Sequence, residues 1–284
     1  MGKKMKIPVS VIIMTKNEER NIEKCLRSVD QFDEVFVIDS NSDDATCEIA
    51  NRMGAKVVNF SWDGQYPKKK QWCLENLSFT HDWVLYVDAD EEVGKDSAEE
   101  MRHALEINQG DSGYFVGFDY IFLGRKLNYG HRVYKLVLFK RSKGCFLDYD
   151  DLSVKNMWEV EGHYQPQVEG KVGLLQNRMA HNDHDNLFHF YEKLNKYSDW
   201  EADLRMQGAL RHDKQAVISS RRRALQWVGD HVPFRGFAMF VYAYILKRGF
   251  LDGRPGFYYA LSLGIYHSLI NMKSYEIKNS GHSK

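Results

Sequence analysis

Two carboxylates, Asp88 and Asp90, close an apolar run, Trp83-Val-Leu-Tyr-Val87, and two further acids, Glu91 and Glu92, follow at once. Acids this crowded repel one another unless something positive sits among them. Carboxylate oxygens are hard ligands that suit Mg2+ or Mn2+, and a cation that also takes phosphate oxygens needs few ligands from the protein. Asp-x-Asp pairs also occur in solvated loops; the strand leading into this one is what argues for a site. A second acidic turn, Asp39-Ser-Asn-Ser-Asp-Asp44, ends the apolar run Val35-Phe-Val-Ile38. There a carboxylate such as Asp39 can accept a hydrogen bond from a nucleobase imide or a ribose hydroxyl. Turn formation and helix capping account for part of Ser42, Asp43 and Asp44. Tyr66-Pro-Lys-Lys-Lys70 opens a helix, where Lys69 and Lys70 offer either a diphosphate site or a solvated basic face.

The segment from Asp148 to Pro166 is rich in acids and aromatics. Glu159, Glu161 and His163 alternate along it, so an extended backbone puts all three on one face. A face with two carboxylates can supply a general base, for which Glu161 is the first candidate, Glu159 the second, with Asp150 and Asp151 behind them. Strand-edge charges that discourage aggregation are the competing explanation. His181, in His181-Asn-Asp-His-Asp185, has acids around it and is read as a metal ligand or a structural histidine.

These residues need a scaffold that gathers them. Val9-Ser-Val-Ile-Ile-Met14 predicts a buried strand ending at Thr15, followed by a helix capped by Asn17 with Ile22, Cys25, Leu26 and Val29 on one face. A second strand ends at Asp39, and a helix from near Asp43 turns Ile49, Ala50 and Met53 inward before Gly54 closes it. Lys56 to Phe60 and Trp83 to Val87 are further strands. Short apolar runs separated by amphipathic stretches imply βαβ units, a parallel sheet and a ligand crevice beyond the strands' carboxyl ends, which Thr15, Asp39 and Asp88 should face. Runs ending at Phe122 and Phe139 extend the sheet, and after His184 the chain turns helical, with Leu187, Phe190, Tyr191, Leu194 and Tyr197 as the core stripe of one helix. The expected division is therefore a catalytic domain over 1–183 and a helical region over 184–284.

The 284 residues carry 39 basic and 39 acidic side chains, so no overall field draws the chain to nucleic acid. Cys25, Cys47, Cys73 and Cys145 form no CxxC pair, which argues against a disulfide framework or structural zinc and fits a reducing cytoplasm. Lys3, Lys4 and Lys6 precede too short an apolar stretch for a targeting segment.

Residues 9–19 (Val-Ser-Val-Ile-Ile-Met-Thr-Lys-Asn-Glu-Glu), 37–46 (Val-Ile-Asp-Ser-Asn-Ser-Asp-Asp-Ala-Thr) and 83–92 (Trp-Val-Leu-Tyr-Val-Asp-Ala-Asp-Glu-Glu) resemble, in order and spacing, the three signatures of family 2 glycosyltransferases. The similarity covers roughly residues 7–140 and is nearest to the bacterial subgroup that builds lipopolysaccharide core and surface polysaccharide. It implies an α/β fold of GT-A type, Rossmann-like and mostly parallel. It also implies nucleotide-diphosphate sugar donors, Mg2+ or Mn2+, and inversion at the anomeric carbon. By the same resemblance Thr15, Asn17, Glu18 and Asp39 fall at the nucleoside, Asp88 and Asp90 at ribose and metal, and His181 where a histidine completes the metal shell. Lys70-Gln71 departs from the Lys/Arg-Asn of many members.

The expected activity is inverting transfer to a lipid-linked or cell-surface glycan. A sugar-1-phosphate nucleotidyltransferase is the enzymatic alternative, although residues 10–20 lack the glycine-rich loop such enzymes open with. A non-catalytic membrane-surface module is the third reading. In the last quarter two aromatic, apolar runs lie among Arg221 to Arg223, Arg235, Lys247, Arg248 and Arg254, with Trp227, Tyr242, Tyr258, Tyr259 and Tyr266 nearby. That composition predicts peripheral contact with the inner face of a bacterial inner membrane, with a homodimer interface or core packing as the other uses.

Overall fold

The computed structural model describes residues 5–107, 110–154, 157–161, 165–182, 186–207 and 234–280. His163, Arg221 to Arg223 and Trp227 lie outside them. The chain divides into two compact units, one of Met1–Ile121, Arg132–Leu147 and Glu159–His184, the other of Phe122–His131, Asp148–Trp158 and Asp185–Lys284.

The first unit is α/β. Its elements run β1 (Ile7–Thr15), α1 (Ile22–Ser28), β2 (Phe32–Asp39), α2 (Thr46–Arg52), β3 (Lys56–Asn59), α3 (Lys69–Asn76), β4 (Trp83–Asp88), β5 (Glu91–Glu92), α4 (Lys95–Glu106) and β6 (Asp111–Phe122). After β7 (Arg125–Lys126), a strand of the second unit, come β8 (Tyr134–Lys140), β9 (Gly144–Cys145), β10 (Gln167–Val168) and β11 (Lys171–His181). The sheet order is β3-β2-β1-β4-β8-β6-β11-β5. β1, β2, β3 and β4 are parallel, and successive side chains of β1 and β4 are buried on both faces, which explains why these strands read as continuous apolar runs. β8 runs antiparallel to both β4 and β6, and β11 parallel to β6.

Two helix starts differ from expectation. α1 begins at Ile22, because Asn17 adopts a left-handed backbone (φ 57°) and turns its side chain to a neighbouring loop instead of capping a helix. α2 begins at Thr46, whose N–H donates to the Asp44 carboxylate at 2.9 Å, while Gly54 ends that helix region at φ 82° as expected.

The second unit is mostly helical: α5 (Leu187–Gln207), α6 (Arg235–Val241), a π-helical turn (Tyr242–Leu246), a 3-10 turn (Gly249–Asp252) and α7 (Gly253–Ser280). The core stripe expected near the start of α5 is displaced. Leu187 is exposed and Phe190, Tyr191, Leu194 and Tyr197 are only partly covered, whereas Ser198, Trp200, Ala202 and Leu204 are buried. The reason is the helix's length: its second half packs inward, and the Trp200 indole donates to Asp151 at 2.6 Å. Phe122, Leu127 and Tyr259 form a small cluster against which Phe190 and Leu263 pack.

Candidate active site

The carboxyl ends of β1, β2 and β4 lie side by side, with Thr15 paired to Asp39 and Met14 to Asp88 in the sheet register. Thr15 Oγ1 donates to Asp39 Oδ1 at 3.0 Å, and the Ser42 N–H donates to Asp39 Oδ2 at 2.7 Å. Burial alone would raise the Asp39 carboxyl, but these donors, with the Ser42 hydroxyl and the Cys47 thiol, outweigh it and hold the group below its ordinary value. The β1–α1 loop is stitched to the β2–α2 loop. Asn17 N–H donates to Ser42 Oγ, Asp43 N–H donates back to Asn17 Oδ1, and Glu18 N–H donates to Thr46 Oγ1.

β4 delivers the acidic group, and the structure supplies a cation for it that the sequence reading missed. Lys135 Nζ lies 3.1 Å from Asp88 Oδ2 and 2.6 Å from Glu91 Oε1. Antiparallel pairing of β4 with β8 puts Leu85 opposite Leu138, and continuing that register brings Lys135 opposite Asp88. Burial pushes the Asp88 carboxyl up, yet Lys135, aided by Lys70 and His181, holds it well below the usual range. Burial disfavours charge on Lys135, and Glu91 and Asp88 outweigh that to raise it well above an ordinary lysine. Glu91 is the fixed centre of the group: it is 1% exposed and its Oε2 also accepts the Asp88 N–H at 3.0 Å.

Asp90 is different. Burial, then the nearby Asp88 and Glu91 charges, raise it to about 6 against the opposing pull of His181. His181, at the end of β11 and opposite Glu91 in β5, turns Nε2 toward Asp90 Oδ2 at 3.8 Å. Its Nδ1 is buried 3.4 Å from Glu91 Oε1 without a well-aligned hydrogen bond. Burial would lower the imidazole pKa, but Glu91 and Asp90 outweigh it and raise it. A shallow dent lined by Asn21, Lys24, Ala89, Asp90, Glu92 and Asn182 lies beside this pair.

Among the described residues no group of three or more His, Cys, Asp or Glu side chains is arranged to hold an ion. What is present is a carboxylate with excess negative surroundings facing an imidazole nitrogen. A hard divalent cation that takes its remaining ligands from phosphate and water fits that donor set.

The lysines and the two glutamates have structural duties. Lys69 is 1% exposed and donates to the Thr15 carbonyl at 3.1 Å and to Ser40 Oγ at 2.6 Å, with Glu159 Oε1 3.7 Å away. It is therefore not the open diphosphate ligand expected; it ties α3 to the ends of β1 and β2. Lys70 is half-buried, donates to the Glu161 carbonyl at 3.1 Å and contributes to the field at Asp88. Glu161, expected as the base, is 1% exposed, and its two oxygens accept the N–H groups of Lys70 at 2.7 Å and Gln71 at 2.9 Å. That is a carboxylate cap on the N-terminus of α3. Burial raises its pKa against the opposing hydrogen bonds from Gln71 and Lys70. Glu159 accepts the Ser40 hydroxyl through Oε1, while no hydrogen bond engages Oε2 among the described residues, and its side chain is 23% exposed. The two glutamates serve different neighbours, so the common face expected of an extended segment is not what organises them. Asp151 is occupied by Trp200, and Asp150 is exposed with a left-handed backbone.

The family model described as Glycosyl transferase family 2 matches residues 10–155. An uncharacterized glycosyltransferase of Rickettsia conorii is 30% identical over 90% of this chain and 86% of its own length. The lipopolysaccharide core biosynthesis glycosyltransferase LpsC of Rhizobium meliloti is 29% identical over 72% of this chain and 74% of its own. Among solved structures, glucosyl-3-phosphoglycerate synthase of Mycobacterium tuberculosis, in complex with Mn2+, uridine diphosphate and glucosyl-3-phosphoglycerate, is 25% identical with a TM-score of 0.32. That match covers 39% of this chain and 43% of that one.

Proposed function

Because the chain belongs to glycosyl transferase family 2, we propose that its α/β unit moves a sugar, with inversion, from a nucleotide-diphosphate sugar to a lipid-linked or cell-surface glycan at the inner face of a bacterial inner membrane. The observation that carries the reading is the meeting of two chemically distinct ends at one sheet edge: the Thr15–Asp39 acceptor pair, and the Asp88–Asp90–His181 group beside it. The first suits a nucleoside and the second a diphosphate with its cation. The relation to LpsC supports a glycan of the lipopolysaccharide or surface-polysaccharide kind as acceptor.

Asp90 and His181, with Asp88 alongside, would hold Mg2+ or Mn2+, which when bound would stabilise negative charge on the departing diphosphate. The chain's own residues do the rest. Asp39, 2% exposed and already receiving Thr15, Ser42 and Cys47, would exchange one of these donors for the nucleoside; Lys135 keeps Asp88 ionised; Lys70 adds positive charge near the phosphates. Glu159 is the better base of the two glutamates, since Glu161 has both oxygens committed and Glu159 has one to spare. It would take the proton of the acceptor hydroxyl as that oxygen forms its bond to the anomeric carbon and the diphosphate oxygen leaves from the opposite face.

The test is incubation with UDP- and GDP-sugars, Mn2+ or Mg2+ and bacterial glycolipid acceptors, with products followed by nucleotide chromatography and proton NMR of the new anomeric centre. Release of nucleoside diphosphate with an inverted linkage is expected. In a parallel incubation with added pyrophosphate, formation of nucleoside triphosphate and sugar 1-phosphate would mark a nucleotidyltransferase, and no product in either incubation a binding protein. Glu159→Gln should lower kcat by about 100-fold, the usual contribution of a general base. Undiminished transfer by that variant removes Glu159 from the reaction.

A further inference from the structure

One corner of the second unit, where α6 and the turns after it meet the start of α7, is packed inside out. Where α6 meets α7 the seam is made of the smallest residues: a Cβ on Gly236 would stand 2.4 Å from the Gly264 carbonyl oxygen. Likewise, a Cβ on Gly256 would stand 2.1 Å from that of Gly249. Ala243 and Ala260 are buried with them. Phe240, Tyr244 and Phe257 pack on one another, while the other large apolar side chains point outward, Phe237 and Leu246 each being 69% exposed, with Ile245, Phe250, Leu251 and Tyr258 also exposed. A helix pair dissolved in water buries its large apolar groups and exposes polar ones; small residues inside with large apolar residues outside is how helices pack when their surroundings are lipid.

Charge at the corner between the helices identifies the lipid. Lys247, Arg248 and Arg254 are exposed between the apolar side chains. The sole acid of that stretch, Asp252, is 3% exposed and already accepts the N–H groups of Asn128 and Tyr129. The corner therefore shows basic and apolar groups alone, although the chain as a whole is neutral. A second copy of the chain is a poor occupant, since a two-fold contact on this corner would set Lys247, Arg248 and Arg254 against the same basic residues of the other copy. Among the described residues no helix is long and apolar enough to cross a membrane.

We propose that the corner formed by residues 245–258 embeds in the headgroup layer of an anionic bilayer, its apolar side chains reaching the acyl boundary while Lys247, Arg248 and Arg254 engage lipid phosphates. This rests on the second unit alone and stands whether or not the transfer reaction is as proposed.

The full-length chain should float with phosphatidylcholine vesicles that contain phosphatidylglycerol and not with phosphatidylcholine alone. Lys247→Glu/Arg248→Glu/Arg254→Glu should weaken that binding by about 100-fold or more, from a factor of about 5 for each basic side chain near the surface. Phe250→Ser/Leu251→Ser should weaken it by about tenfold or more through lost apolar burial. Both variants alter exposed side chains and should melt as the wild type does. A measurement that needs no variant is hydrogen exchange on the wild type, where added anionic vesicles should protect the amides of 245–258 and spare the α/β unit. Absence of flotation by the wild type, equal flotation of all three proteins, or protection elsewhere overturns the proposal. So does a dimer that Phe250→Ser/Leu251→Ser dissociates while vesicles have no effect, since it gives this face to a second copy.

Discussion

Glu161→Gln separates a helix cap from a catalytic base on a single protein. The glutamine keeps one oxygen for one of the two N–H groups that Glu161 now receives, from Lys70 and Gln71, and sets an amide NH2 against the other. The loss of one charge-assisted hydrogen bond costs about 1.5–3 kcal/mol. Removing a carboxylate from the helix N-terminus costs about 0.3–1 kcal/mol more. Against these, burial raises the Glu161 pKa, so a neutral side chain recovers part of the cost of burying charge. The balance is a destabilisation of about 1–3 kcal/mol, or a fall in Tm of roughly 2–10 °C for a chain of this size. Loss of a general base would take a similar free energy, about 2.7 kcal/mol for 100-fold, from the transition state instead and leave Tm unchanged. Thermal melting by circular dichroism and steady-state kinetics well below the melting range therefore give opposite patterns for the two roles. We expect a lowered Tm with kcat within a few-fold of wild type, and Glu161→Ala, which leaves both N–H groups without an acceptor, should lower Tm about twice as far. A Glu161→Gln enzyme with wild-type Tm and kcat down by about 100-fold or more would refute the cap argument.

Three further outcomes follow from the same geometry. Asp90→Asn should abolish transfer and leave the fold intact, with a Tm in chelator at or above wild type, because the charge it removes is one that burial already disfavours, at a pKa of about 6; wild-type turnover in excess EDTA, or a fully active variant, contradicts this. Lys135→Met strips Asp88 and Glu91 of their cation and should destabilise the α/β unit by about 1–3 kcal/mol, chiefly through Glu91, since the Asp88 side chain is 40% exposed and can turn to water, so a urea midpoint equal to wild type would show that the cluster does not need it. Glu34, 5% exposed, is pushed up by burial but held at about 2 by Lys56, Ser10 and Thr80. Its folded pKa lies below the unfolded value of about 4.5, so its contribution, at most about 3 kcal/mol, is present above that pH and drains away as pH falls toward 2. Urea unfolding between these pH values should show the loss in wild type and a flatter profile in Glu34→Gln; parallel profiles would reject the assignment.

Local pattern was enough to find the sheet edge. Thr15, Asp39 and Asp88 stand where apolar runs stop, and a parallel sheet turns such stops into neighbours, so composition along the chain already told which residues share a crevice. Asn17 shows where local pattern fails. As an isolated sequence feature it is an N-cap, but its left-handed backbone lets it bind Asp43 across the crevice, and only the pairing of two loops rewards that conformation. Lys135 and Glu161 are harder cases, because each acts on an element remote in sequence. A lysine in the apolar strand Tyr134-Lys-Leu-Val-Leu-Phe139 was a visible anomaly, yet its target depends on the register of β8 against β4, which no periodicity specifies. The Glu161 cap lies 91 residues from the N–H group of Lys70 that it accepts.

These remote contacts also explain how the site can be rigid while its sequence looks loop-like. Glu159 and Glu161 arrive on a segment without helix or strand, yet they meet the ends of β1 and β2 and the start of α3 through a buried lysine, a serine hydroxyl and two backbone N–H groups. The same three residues, Lys69, Ser40 and Glu159, connect that segment to the strand end that carries Asp39. A shift of the segment must break a buried ion pair or uncap a helix, each costing more than a surface loop's usual freedom. Glu159 is thereby held relative to the nucleoside end of the crevice by its own side-chain partners. Substituting Ser40 should consequently disturb kcat more than donor binding, because it loosens the group that takes the proton while leaving the Thr15–Asp39 pair in place.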